Sequence, residues 1–443
     1  MLLNPSNRKE ILKIQAPSSK SIEHRALITC FLEAISQNPI NEGVCNSVTK
    51  ISEGDSKDIY ATKLCLRALY SESTKNEPSS EVEFECNESG STLRFMISVA
   101  ISLLSVCNVS KNRRLIFKCK GRLLDRPLEG LVKCLESHGI SIVKDSNASA
   151  YIVSGVLQGG EFEIEGGTSS QYISGLLMGL PRLNENSQIK VCGNIQSRKY
   201  IDLTIDALHN IGIGIDNTKD ETHESYLIKG NSYGSYTASL EEIYNNVEGD
   251  WSNGAFLLCL GALYGMGEIE VSGLNPSSKQ GDRAILDFFK LAGIEAISNN
   301  SQIVLKGNKN STSCERIEMD CANIPDIVPY MVIVSAFYAK EAIFNNTSRL
   351  RIKETDRVMA ICEMAREAGI NITENENSIE VRGLDESFDK DIIKLSSYND
   401  HRMAMCALLI AEGRGISVDI DEIECIRKSF PALIDIINKE YAR

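Results

Sequence analysis

Ile324-Pro325-Asp326-Ile327-Val328-Pro329-Tyr330-Met331-Val332-Ile333-Val334 opens the segment whose reading decides the fold. A short Pro-bearing cap precedes an almost wholly apolar run, which predicts a buried helix over 327–339. A strand is expected next, near 342–345. A second helix starts at Asp356, with Met359, Ile361, Cys362 and Ala365 on one apolar face and Gly369 as its C-cap. Residues 370–373 and 378–381 then alternate as a hairpin around Asn375-Glu376-Asn377. The unit reads β-α-β-α-β-β.

Outward from this unit, both helix-start signals recur six times, at a period of roughly 75 residues. Buried helices are announced at Ser18-Ser19-Lys20-Ser21, Glu88-Ser89-Gly90-Ser91, Thr168-Ser169-Ser170-Gln171, Asp250-Trp251-Ser252, Ile324-Pro325-Asp326 and Asp400-His401-Arg402. Amphipathic helices are announced near Asp55, Asp125-Arg126, Lys199-Tyr200, Asp282-Arg283, Asp356-Arg357 and Ser429-Phe430. Four of these end in Gly-Ile, at Gly139, Gly212, Gly293 and Gly369. An α/β (α+β) chain of two lobes, each of three such units around buried helices, is expected. The Gly/Ser/Tyr stretch 230–235, where the apolar pattern lapses, reads as the hinge.

The 443 residues are 42% hydrophobic and carry a net charge of −13. No general basic surface invites nucleic acid, so cations that bind an anion must be concentrated locally. Fourteen cysteines without a C-x-x-C pair and five histidines without ligand spacing give no metal signature. Residues 1–13 do not read as a signal peptide, and no apolar run is long enough to span a bilayer. No phosphate-loop, dinucleotide or nucleophile-elbow motif is present. The expectation is a cytoplasmic monomer acting on small-molecule substrates without cofactor, metal, membrane or nucleic-acid partner.

The chemistry-bearing residues cluster at the buried-helix starts, where free N–H groups and the helix dipole attract anions. Lys20 and Arg25 flank the first start, and Gly90 lets a ligand approach the second. Ser169, Ser170 and Gln171 offer donors at the third, and Arg402 marks the sixth. Any one serine cluster alone is an ordinary N-cap. Arg349-Leu350-Arg351-Ile352-Lys353-Glu354-Thr355-Asp356-Arg357 is the densest charge run. It is either a helix cap in a solvated run, or a proton-transfer pair (Lys353, Glu354) beside a carboxylate clamp (Arg357 with Arg402). Asp326, in an apolar setting, is either an N-cap or a base of raised pKa.

Seven motifs, in order and nearly end to end, resemble the EPSP synthase family. They are Ala16-Pro17-Ser18-Ser19-Lys20-Ser21-Ile22-Glu23-His24-Arg25-Ala26-Leu27, Glu88-Ser89-Gly90-Ser91-Thr92-Leu93-Arg94-Phe95, Asp125-Arg126-Pro127-Leu128, Ser169-Ser170-Gln171, Lys353-Glu354-Thr355-Asp356-Arg357, Asp400-His401-Arg402-Met403-Ala404-Met405 and Lys428-Ser429-Phe430-Pro431. The resemblance implies the enolpyruvyl transferase fold. One lobe would hold 1–19 with 242–443 and the other 20–241. It implies transfer of the enolpyruvyl group of phosphoenolpyruvate to the 5-hydroxyl of shikimate 3-phosphate, in aromatic amino-acid biosynthesis.

By the same resemblance, shikimate 3-phosphate would be held by Lys20, Ser21, Arg25, Ser169, Ser170, Gln171, Ser197, Tyr200, Asp326 and Lys353. Phosphoenolpyruvate would be held by Lys20, Gly90, Arg126, Gln171, Arg357, Arg402 and Lys428. Asp326 and Glu354 would carry protons, with Lys20 and Lys353 assisting. Glu88 and Arg349 stand where many members have Asn. The UDP-N-acetylglucosamine 1-carboxyvinyltransferases share the donor and the expected fold. They carry a reactive cysteine at the position of Gly121, whereas the nearest thiol here is Cys119. A non-catalytic anion-binding homologue is the alternative outside enzymes. It would not require Asp326 and Glu354 beside the cations.

Overall fold

The computed structural model describes residues 1–6, 11–106, 113–219, 223–264, 268–299, 301–306 and 314–441. The chain divides into two compact bodies, Met1–Ser19 with Glu248–Arg443, and Lys20–Val247. We call them the C-terminal and N-terminal bodies.

Four units are complete. In the C-terminal body, strand Leu12–Gln15 precedes helix Trp251–Leu263, strand Glu268–Ser272, helix Ile285–Leu291 and the hairpin Ala296–Asn299/Gln302–Lys306. Leu12–Gln15 pairs in parallel with Glu268–Ser272. The next unit runs Cys314–Asp320, Val328–Tyr338, Ala339–Asn345, Arg357–Glu367, Ile370–Glu374 and Ser378–Leu384, with Gly369 in the left-handed region at φ +67° as a C-cap requires. In the N-terminal body, Glu81–Asn87 to Ala150–Gly155 and Gly160–Glu165 to His223–Ile228 repeat the order, around helices Gly90–Ser105 and Ser170–Gly179. In each complete unit the first two strands are parallel, bridged by the buried helix, and the last two are antiparallel.

Two units depart from the full pattern. The first, within 20–80, has helices Lys20–Ser36, Glu42–Val48 and Lys57–Ser73 and no strand among its residues. Asn41 caps the second of these helices. Only 74–80, Thr-Lys-Asn-Glu-Pro-Ser-Ser, separate the third helix from the next strand, too short and too Pro-bearing for a hairpin. The last unit has strands Ile392–Leu395 and Ser417–Ile420 around helix His401–Arg414, and its third strand is Leu2–Leu3, antiparallel to Ser417–Ile420.

Every residue of Val328–Tyr338 is buried. A helix apolar on all sides needs neighbours on all sides. It packs on Trp251–Leu263 and His401–Arg414, which pack on each other. In the N-terminal body, Ser170–Gly179 packs on both Gly90–Ser105 and Lys20–Ser36. Among the described residues no helix is long and apolar enough to cross a membrane. The thirteen described cysteines are free, and Cys107 lies outside the described residues.

The stretch 230–235 is no hinge. Buried Glu33 accepts from the N–H groups of Gly234 at 2.8 Å and Tyr236 at 2.7 Å, and the Tyr233 hydroxyl donates to the Met178 carbonyl at 2.8 Å. Helix Leu240–Asn245 still packs on Lys20–Ser36 and Glu42–Val48, so the chain leaves this body only after Val247. Removing Glu33 strands two backbone donors. Glu33→Ala is expected to destabilise the protein by roughly 2–4 kcal/mol, read as a lowered midpoint in urea with Glu33→Gln intermediate. A midpoint unchanged in Glu33→Ala refutes this anchoring role of Glu33.

Candidate active site

In the C-terminal body the site grows from the start of helix His401–Arg414. Asp400 caps it, accepting from the Arg402 N–H at 2.9 Å. The same carboxylate takes Arg357 in two bonds, Nε at 2.7 Å and Nη2 at 3.2 Å. Arg357 is 2% exposed and Asp400 0%, so the pair is fully desolvated. Arg357 Nη1 reaches Asp326 Oδ1 at 2.8 Å, and Lys353 Nζ meets the same oxygen at 3.2 Å. Glu354 lies 3.9 Å from Arg357 Nη2 and 3.1 Å from His401 Nδ1. Arg402 donates from Nη1 to the Tyr330 hydroxyl at 3.0 Å and the Ser252 carbonyl at 3.2 Å. Lys428 Nζ donates to the Asn399 carbonyl at 2.9 Å.

These contacts resolve the readings left open by the sequence. Asp356 does cap helix Arg357–Glu367 and pairs with Arg351 at 3.2 Å, so that part of the run is structural. Lys353 and Arg357 instead meet at Asp326. Asp326 is not a cap, since helix Val328–Tyr338 has no side-chain cap. Nor is its pKa raised. Burial alone would raise it, but Lys353, Arg402 and Arg357 together hold it well below the usual carboxylate range. Glu354 behaves alike: burial raises, but His401, Arg357 and Lys428 outweigh it, and its pKa falls well below the ordinary value. The raised carboxyl is another one. Burial, then the charge of Asp326, pushes Asp282 up to about 7. Its Oδ2 accepts from the Ser252 hydroxyl, while Oδ1 is buried and has no hydrogen-bond partner among the described residues.

Glu354, Asp400 and His401 bring ligand atoms within 4.8 Å of one another. Asp400, however, already binds Arg357 through both oxygens. A divalent ion there would have to replace the guanidinium, so this donor set serves Arg357.

In the N-terminal body, Lys20 pairs with Asp58 at 2.7 Å. Ser89 caps the helix that Gly90 begins, accepting from the Thr92 N–H at 3.2 Å. The space beside Gly90 is not empty: a Cβ there would lie 2.5 Å from Arg126 Nη1. Gly90 and Arg126 are thus brought into contact. Gln171 donates to Ser91 Oγ at 2.8 Å and accepts from Arg94 Nη1 at 2.8 Å. Ser169 is the N-cap of Ser170–Gly179, as the plain reading of that cluster had it.

Arg25 turns inward. It is 2% exposed and donates to Thr204 Oγ1, Ser174 Oγ and the carbonyls of Ser21 and Tyr200. These bonds use four of the five N–H groups of its guanidinium. Ser170 and Ser197 are buried, with Ser197 at φ +54°. Asp58, Arg94, Asp282, Tyr330 and the central part of Asp400 escaped the sequence reading of the site. Arg94 carried a signal, a lone charge inside an apolar helix, which folding tolerates only with partners.

The sequence model of the family described as EPSP synthase (3-phosphoshikimate 1-carboxyvinyltransferase) matches residues 9–437. A 3-phosphoshikimate 1-carboxyvinyltransferase of Clostridium perfringens is 33% identical over 438 residues, 97% of this chain and 96% of that one. One of Clostridium kluyveri is 31% identical over 443 aligned positions, 97% of this chain and 94% of that one. The solved EPSP synthase of Acinetobacter baumannii shares the fold at TM-score 0.68 and 19% identity, over 100% of this chain and 98% of that one. So does the enolpyruvyl transferase NikO of Streptomyces tendae, at TM-score 0.66 and 12% identity, over 99% and 97%. With helix starts lined by Lys20, Arg126, Lys353, Arg357, Arg402 and Lys428, and a family match over nearly its whole length, the chain belongs to the EPSP synthase family.

Proposed function

We propose that this chain transfers the enolpyruvyl group of phosphoenolpyruvate to the 5-hydroxyl of shikimate 3-phosphate and releases phosphate. The observation that carries the reading is the buried net in which Asp326 and Glu354 share Arg357 as a neighbour. It puts two carboxylates among cations suited to phosphate and carboxylate. Shikimate 3-phosphate is assigned to Lys20, Ser21, Arg25, Ser169, Ser170, Gln171, Ser197, Tyr200, Asp326 and Lys353. Phosphoenolpyruvate is assigned to Lys20, Gly90, Arg126, Gln171, Arg357, Arg402 and Lys428. Gly121 has φ +56°, and a Cβ there would stand 3.1 Å from Glu88 Cδ, which speaks against a reactive cysteine at that position.

The mechanism follows from the charges. The hydroxyl oxygen attacks C2 of the enolpyruvyl group and its proton passes to Asp326. Glu354, in its acid form, protonates the methylene carbon, giving a tetrahedral adduct. The adduct then returns a methyl proton to Glu354 and expels phosphate, which takes up the proton held on Asp326, restoring the double bond and leaving both carboxyls as they began. Of the groups that keep both carboxylates ionised in the empty protein, Lys353, Arg357, Arg402 and Lys428 are assigned to the substrates, and only His401 beside Glu354 is not. Bound phosphate and carboxylate groups cancel that field. The proton affinities of Asp326 and Glu354 therefore rise as the site fills, when an acid and a base are needed.

Three outcomes are expected. Purified protein, without added metal, releases phosphate only when both substrates are present. Equal release with UDP-N-acetylglucosamine, or none with shikimate 3-phosphate, defeats the assignment. Glu354→Gln and Asp326→Asn each lower kcat by roughly 10²–10⁴-fold in steady-state assays, the scale of a lost general acid or base. Wild-type kcat in either variant removes that residue from the mechanism. Gly90→Ala pushes the Arg126 guanidinium aside. It should raise the KM for phosphoenolpyruvate and the inhibition constant of glyphosate, which the resemblance to the family gives as an inhibitor of that site, by roughly 10- to 100-fold, one charge-assisted hydrogen bond, with little change for shikimate 3-phosphate. An unchanged glyphosate constant counts against placing Gly90 beside the phosphoenolpyruvate groups.

A further inference from the structure

Arg94 lies one turn into helix Gly90–Ser105 and is 6% exposed. Helix Ser170–Gly179 abuts it closely, since a Cβ on Gly175 would come 2.7 Å from the Arg94 carbonyl and one on Gly179 2.8 Å from that of Ser98. This approach brings the start of one helix against the other. Arg94 Nη1 donates to Gln171 Oε1 at 2.8 Å and Nη2 to the Pro127 carbonyl at 3.0 Å, with the guanidinium over the Tyr172 ring at 5.7 Å. The Tyr172 hydroxyl donates to the same Pro127 carbonyl at 2.6 Å. One side chain thereby ties Gln171 to the segment that follows Arg126.

The bonds also run in one direction. A guanidinium only donates, so the amide of Gln171 must offer it oxygen. Its nitrogen then faces Ser91, donating to Oγ at 2.8 Å. The Ser91 hydroxyl, receiving there, keeps its own proton for another acceptor, and among the described residues it donates to none. Ser91 is partly exposed, one residue into the helix start that Gly90 begins. Each bond polarises the next, so a buried cation at one end strengthens the donor at the other.

We propose that Ser91 is a further anion-binding residue, and that Arg94 is a positioning residue which orients its hydroxyl through Gln171. This rests on the assignment of Gly90, Gln171 and Arg126 to phosphoenolpyruvate, and it adds a neutral donor beside them. The charge stays out of reach while its direction is delivered. If the amide were reversed, Gln171 would present oxygen to Ser91, the serine would turn its proton inward, and two lone pairs would face the anion.

The test is a double-mutant cycle read in the kinetics of phosphoenolpyruvate. Ser91→Ala is expected to raise its KM by about 5- to 30-fold with kcat nearly unchanged, one hydrogen bond held equally in ground and transition states. Ser91→Thr keeps the hydroxyl and should restore most of the loss. Arg94→Met should cost at least about tenfold in kcat/KM alone, but less than about threefold on the Ser91→Ala background, because both changes act through one donor. Should Arg94→Met fold poorly, as circular dichroism would reveal, Arg94→Gln, a neutral side chain that can still donate to the Pro127 carbonyl, replaces it in the same cycle. Wild-type KM in Ser91→Ala, or effects that multiply in the double variant, overturns the relay. Absence of wild-type turnover with both substrates is a separate result, and would refute the function itself.

Discussion

Asp400 bound to Arg357 is the contact on which the C-terminal body depends. Neither side chain reaches water, so each would be costly to bury alone. Breaking such a pair by removing one partner costs about 3–5 kcal/mol, because a desolvated charge is left behind. The pair joins the starts of helices Arg357–Glu367 and His401–Arg414, and it aims the third nitrogen of Arg357 at Asp326. The positions of Lys353, Glu354 and His401 follow from where that guanidinium stands. The net is therefore structural and chemical at once. The interactions that make it affordable to bury also set the proton affinity of Asp326 and Glu354.

The two bodies hold their cations differently. The C-terminal body concentrates charge and balances it, pairing Lys353 with Asp326 and Arg357 with Asp400. A stray anion gains little from cations already neutralised by carboxylates. A ligand bearing several negative charges in the right positions gains from all of them together. The N-terminal body relies more on helix starts and neutral donors, with Ser89 and Ser169 as caps and Gly90 open to the Arg126 guanidinium. Its buried arginines Arg25 and Arg94 direct most of their donors to oxygens of their own body. Such interior cations rigidify the scaffold and order the dipoles around them.

The repeat tolerates loss of strands but not of buried helices. All six central helices are present, whereas the first unit is helical throughout and the last borrows Leu2–Leu3 for its sheet. The reason lies in burial. A central helix is enclosed by its neighbours and cannot be dropped without opening the core. The sheets lie outside these helices, and a missing hairpin exposes one edge at most.

Local chemistry was legible in the sequence. Apolar runs behind polar caps gave all six buried helices, because a helix without a polar face has to be enclosed wherever it goes. Gly-Ile gave four helix ends, since the residue after the last turn adopts a left-handed backbone, seen at φ +67° to +83°. Motif spacing gave the residues that gather at the helix starts. What the sequence left open was which group faces which across the fold. Gly90 looked like open space and is filled by Arg126. Asp326 looked like a cap or a raised base and is a carboxylate held ionised by three cations. Gln171 looked like a ligand alone and is oriented by Arg94, 77 residues away along the chain. Electrostatic fields and hydrogen-bond direction depend on distances of a few ångströms between residues far apart in sequence, and only the packing of one helix on another sets those distances.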